Sequence, residues 1–151
     1  MYMFLKTIHV IVGMSLMALI VGVIAPVIYG LTCYPTDWQK RTLKRSLHLS
    51  VVGVIPLSML QLVLGFSVIA AHPYAVSLFW IKASLAAFIV YLVSWCGSVC
   101  CLSKWRFLRG ESVRHGSDLS VKGCFLSWLA WVIIAILSMF TMVFMMANRV
   151  L

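Results

Sequence analysis

The chain has 151 residues, the size of one domain, with 64% hydrophobic and 10% charged residues. A soluble domain carries roughly a quarter charged residues, so the balance excludes an ordinary water-soluble fold and points to a lipid environment. The formal net charge of +9 does not read as a nucleic-acid surface, because its cations gather in two short segments between apolar runs.

Four runs, Ile8–Leu31, Leu49–Ala70, Ser77–Leu102 and Gly123–Ala147, are apolar nearly all round. A hydrocarbon core of ~30 Å needs about 20 helical residues, and each run meets that length. The expected fold is all-α: a single four-helix transmembrane bundle over residues 1–151, up-down-up-down, with spans near 5–31, 49–71, 77–102 and 123–147. The first apolar run exceeds the ~7–15 residues of a secretion-signal core, so it reads as a retained helix. Lys40, Arg41, Lys44 and Arg45 crowd the first connection, and Lys104, Arg106, Arg109, Arg114 and Lys122 the third. Short basic loops stay cytoplasmic, which puts both termini on the outer side of a bacterial inner membrane. The bilayer is then the main partner, with anionic lipid headgroups at the basic loops and no nucleic acid.

In chain order, the first helix carries His9 near its outer end, Gly13 one turn later, and Pro26 toward its inner end. Tyr34-Pro35-Thr36-Asp37-Trp38 marks a loop over Thr32–Leu47, with Thr36 or Asp37 capping a short amphipathic approach to the second helix. The second helix holds Pro56, Gln61 and Gly65; Gln61 lies at membrane depth, so it should face the interior and find a partner. Gly53 suits close helix approach. The turn after it contains His72. In the third helix, Trp80 and Tyr74 suit an outer aromatic belt, and Trp95 and Trp105 an inner one. Lys82 lies ~7 Å inside the outer boundary, where its stem either snorkels or serves a site. A polar loop is expected over Ser103–Lys122. The fourth helix places Trp128 and Trp131 near the inner face and Met139, Met142, Met145 and Met146 toward the outer one.

The acids Asp37, Glu111 and Asp118 all fall in connections, which weighs against proton-coupled transport and hydrolysis. Histidine remains. Antiparallel neighbours would bring His9, His72 and Lys82 together at the outer end. There His9 and His72 could ligate the iron of a b-type haem, Gly13 could leave room for a flat macrocycle, and Lys82 could pair with a propionate. Copper is the competing metal: Met139, Met142 and Met146, with Met1 and Met3 nearby, offer thioethers that favour Cu(I). Cys96 and Cys100 share a helix face four residues apart, a spacing open to a soft metal or to plain packing. The cysteines sit toward the reducing side, so no structural disulfide is expected. From another class comes a non-catalytic membrane subunit or assembly factor that packs through small residues against a protein partner or a second copy.

Three pieces carry a resemblance: Leu5-Lys6-Thr7-Ile8-His9-Val10-Ile11-Val12-Gly13, the run from Pro56 through Gln61 to Gly65, and Trp80-Ile81-Lys82 with Trp95 and Lys104-Trp105-Arg106. They resemble a family of bacterial four-helix integral membrane proteins of unknown function. More distantly, they are similar to HemJ-type protoporphyrinogen oxidases and CopD-like proteins. The HemJ likeness implies b-type haem and a redox or haem-biosynthesis role, with His9 and Lys82 as the residues carried over. The chain departs from HemJ-type sequences at Trp80, where those carry a histidine, and in its ending Met146-Ala147-Asn148-Arg149-Val150-Leu151.

Overall fold

A backbone surrounded by lipid has no water to satisfy its amides, so an apolar chain of this kind must close its hydrogen bonds within helices. The structure, a computed structural model, describes residues 2–33, 36–71, 79–115 and 118–147, with side chains for 2–29, 38–71, 79–107 and 123–145. Every described residue is helical except Ala71, which turns the chain out of its helix. The elements are α1 (Tyr2–Cys33), α2 (Thr36–Leu49), a π-helical turn (Ser50–Val54), α3 (Ile55–Ala70), α4 (Phe79–His115) and α5 (Asp118–Ala147). Because α2, the π turn and α3 are continuous, they make four long helices, each long and apolar enough to cross a membrane: Tyr2–Tyr29, Trp38–Ala70, Phe79–Phe107 and Gly123–Met145. At most 33% of the most apolar stretch in any of them is buried. Large side chains such as Phe4, Met14, Val63, Phe66, Ile89 and Phe144 point outward. Apolar surface on that scale suits contact with lipid tails rather than water.

The helices fall into two compact units, Met1–Tyr74 and Ala75–Leu151. In the first, α1 runs antiparallel to the α2–α3 helix. Leu16, Ile20, Val23 and Val27 of α1 are buried, as are Thr42, Leu43, Ser46, Ser50, Val54, Ser58 and Gln61 on the other helix. Large side chains on one helix thus meet small ones on the other, the usual solution where backbones approach closely in membranes. A Cβ added at Gly53 would stand 2.8 Å from Leu19 Cδ2, so this glycine sets the approach, as its position suggested. Ser46 donates across the seam to the Val23 carbonyl at 3.4 Å.

In the second unit, α4 and α5 are antiparallel and joined by aromatics. Trp105 packs on Phe125 and Trp128 with ring centroids 5.6 and 6.5 Å apart, and Gly97 lies under the Trp131 indole, 2.8 Å from its Cδ2 to an added Cβ. Trp95 and Trp105 are 2% and 1% exposed, so they are core residues of this unit and not members of an interfacial belt. Their stripe, continued by Tyr91 and Phe88, faces α5 and decides their burial.

Two expected loops are helices. Between Thr36 and Leu49 no glycine or proline interrupts the chain, and Thr42, Leu43 and Ser46 form a buried face while Arg41, Lys44, Arg45 and His48 stay exposed. That amphipathic pattern extends the second span by several turns. Likewise α4 continues through Gly110 and Glu111 to His115, and α5 begins at Asp118.

Pro56 explains the π turn. It has no N–H to donate and its ring crowds the preceding turn. The Ile55 N–H reaches back five residues, to the Ser50 carbonyl. Hydroxyls cover nearby acceptors, with Ser50 donating to the Ser46 carbonyl at 2.8 Å and Ser58 to the Val54 carbonyl at 2.7 Å. One extra residue in a turn rotates everything after it by about 100°. That reset keeps Ser58 and Gln61 on the side of the helix that Leu43 and Ser46 turn toward α1.

A buried histidine–glutamine pair between α1 and α3

Hydroxyls dot all four spans, but most are satisfied within their own helix. Ser15, Ser67, Ser103, Ser138 and Thr141 each donate to the carbonyl four residues back, at 2.8–2.9 Å. Such groups have spent their hydrogen-bonding capacity locally. His9 and Gln61 have not. Gln61 is only 7% exposed, and its Nε2 lies 3.2 Å from His9 Nε2 across the α1–α3 seam. His9 is half-buried beside it. His9 Nδ1 and Gln61 Oε1 are both buried without a hydrogen-bond partner.

The glycines interlock with this pair. A Cβ at Gly13 would lie 3.1 Å from Gln61 Nε2, and one at Gly65 would lie 3.5 Å from His9 Cε1. Each polar side chain therefore sits over a glycine of the opposite helix, four residues from the other polar group. The space beside Gly13, expected to admit a macrocycle, is filled by the Gln61 amide. Gln61 was expected to find an interior partner, and it does.

Two proton arrangements satisfy the contact. In one, the Gln61 amide donates to the Nε2 lone pair and Nδ1 carries the proton. In the other the amide is turned over, Nε2–H donates to Oε1, and Nδ1 keeps a lone pair. Either way one imidazole nitrogen and one end of the amide are left unused. The second arrangement is the one found around metal-ligating histidines, whose other ring nitrogen donates to an oxygen that fixes the ring.

The other expected site residues are distributed as follows. Lys82 lies on the first turns of α4, in the second unit, and is exposed. His72 lies outside the described residues. Met139 is 4% exposed, Met142 and Met145 are half-buried on α5, and Met3 is 73% exposed on α1. Among the described residues no group of three or more His, Cys, Asp and Glu is placed to hold a metal ion. The described cysteines Cys96, Cys100, Cys101 and Cys124 are free thiols.

Among the described residues the chain is thus all-α, with four membrane-length helices and, in the first unit, an interhelical polar pair with unused hydrogen-bonding capacity. No family model, curated protein or solved structure matches it.

Proposed function

We propose that this is a multi-pass protein of a bacterial inner membrane, with both termini outside, whose first unit holds a b-type haem or porphyrin through His9 in a redox or haem-biosynthesis role. The observation that carries the reading is the unpartnered Nδ1 of His9, buried beside an amide whose oxygen can accept a hydrogen bond from the other ring nitrogen. An unmet polar group in lipid costs several kcal/mol, a cost that a ligand would remove. The donor set offers a single imidazole nitrogen. His9 would be the ligand and Gln61 the group that orients it, while haem bound there would supply one-electron chemistry. Exposed Arg41, Lys44 and Arg45 on α2 suit anionic headgroups at the cytoplasmic surface. The similarity of the Leu5–Gly13 segment to HemJ-type chains agrees with this reading.

A second reading has its own observation. Because Gln61 fills the notch at Gly13, the pair can act purely as a helix clamp in a non-catalytic membrane subunit. Titrating the detergent-purified protein with ferric haem separates the two. Saturable binding with a shifted Soret band, lost in His9→Ala and altered in Gln61→Leu, supports the haem site. Binding that is unsaturable, or identical in His9→Ala, refutes it and leaves the clamp.

A further inference from the structure

The second unit carries a cluster that the haem reading does not use. Cys96 and Cys100 stand one turn apart on α4, and both are exposed. The neighbouring Cys101 is half-buried, with its Sγ 3.5 Å from Ser127 Oγ of α5, and Cys124 is half-buried on α5 itself. One of the four described thiols thus meets the facing helix, and two are exposed together one turn apart. Counted from Phe79 at ~1.5 Å per residue, Cys96 and Cys100 lie about 26 and 32 Å along the helix. On the span expected over 77–102 the pair falls toward the inner end, next to the basic segment that follows. The next turn brings exposed Lys104.

We infer that Cys96 and Cys100 form a two-coordinate dithiolate site for a soft monovalent cation, Cu(I). Residues four apart on a helix have Cβ atoms ~5–6 Å apart. Two metal–sulfur bonds of ~2.3 Å placed end to end span about 4.6 Å, so the pair can close on one ion without bending the helix. Structural zinc and iron–sulfur centres need about four ligands, and among the described residues no group of even three His, Cys, Asp or Glu is available. Two thiolates in line suit Cu(I), which is soft and accepts low coordination. Each thiol gives up its proton to water as its sulfur–copper bond forms, and the metal keeps its +1 state. The complex carries one net negative charge, which the Lys104 ammonium offsets from the adjacent turn. The site uses neither the thioethers of α5 nor His9 as ligands.

The test is anaerobic titration of the full-length protein in detergent with Cu(I) against a chromogenic chelator, alongside Zn(II), with x-ray absorption to count sulfur neighbours. One Cu(I) with two sulfur neighbours and no comparable Zn(II) binding is expected. Cys96→Ser and Cys100→Ser should each weaken Cu(I) by more than about a hundredfold, beyond the effect of losing an outer-shell partner. Lys104→Ala should weaken it by about fivefold. Cys101→Ser/Cys124→Ser should bind like the wild type. Exposed Cys-to-Ser changes are nearly isosteric, and unchanged elution and helicity verify the fold of each variant. Absence of Cu(I) binding, three or four sulfur neighbours, or copper retained in Cys96→Ser/Cys100→Ser and lost in Met139→Leu/Met142→Leu overturns the inference. None of these readouts depends on haem.

Discussion

The coupling between His9 and Gln61 can be measured directly by a double-mutant cycle with His9→Leu, Gln61→Leu and the double variant. Gln61→Leu removes the 3.2 Å contact and strands His9 Nε2, but it also removes the unpartnered Oε1. Each single variant strands one partner of the pair, whereas the double variant strands none. The relief at Oε1, and at Nδ1 in His9→Leu, recurs in the double variant and so cancels around the cycle. What the cycle reports is the interhelical bond with its stranding included, about 0.6 kcal/mol on average in membranes and about 1.7 kcal/mol at most. The double variant should therefore be less destabilised than the sum of the singles by about 1 kcal/mol. Reversible unfolding of the reconstituted protein in mixed micelles gives the four stabilities. Additivity within about 0.3 kcal/mol refutes the pairing, since uncoupled sites behave that way.

Three further outcomes follow from the packing. Gly97→Ala drives a Cβ to 2.8 Å from the rigid Trp131 indole and should cost about 1–3 kcal/mol, whereas Gly53→Ala meets the movable end of Leu19 and should cost less; Gly22→Ala, with nothing within 4 Å, should be neutral or stabilising in the same unfolding assay. Pro56→Ala restores a backbone donor and favours an ordinary α turn at Ser50–Val54, rotating Gln61 away from α1, so the His9–Gln61 coupling energy should fall; an undiminished cycle in that background contradicts the role assigned to the π turn. Arg41→Gln/Lys44→Gln/Arg45→Gln should weaken retention of anionic lipid by about 1 kcal/mol per cation removed, read by native mass spectrometry in mixed-lipid micelles, and equal retention argues against the headgroup assignment.

Much of this architecture is legible in the residues, because continuous apolar length is a strong signal and needs no knowledge of packing. Gln61 announces itself for the same reason: an amide at membrane depth must be answered, and His9 answers it. What escapes the sequence is helix phase. Gly13 reads as open space for a ligand until the π turn brings the Gln61 amide over it, and only Pro56 hints at that turn. The basic stretch Lys40–His48 looks like a loop by charge, yet its buried Thr42, Leu43 and Ser46 follow helical spacing and were the available signal. Trp95 and Trp105 mislead because tryptophan suits both an interfacial belt and a packed seam. The facing side chains decide between the two: Trp105 meets Phe125 and Trp128 of α5, and Gly97 under Trp131 shows how closely that seam packs.

The most direct measurement of the central proposal is the visible spectrum of the protein purified in mild detergent from haem-replete cells, oxidised and then dithionite-reduced, for the wild type and His9→Ala. The account predicts a Soret band with reduced-state bands typical of b-type haem, absent or strongly diminished in a His9→Ala variant that elutes as the wild type does. A colourless wild-type protein, or a haem spectrum untouched by the loss of His9, contradicts it.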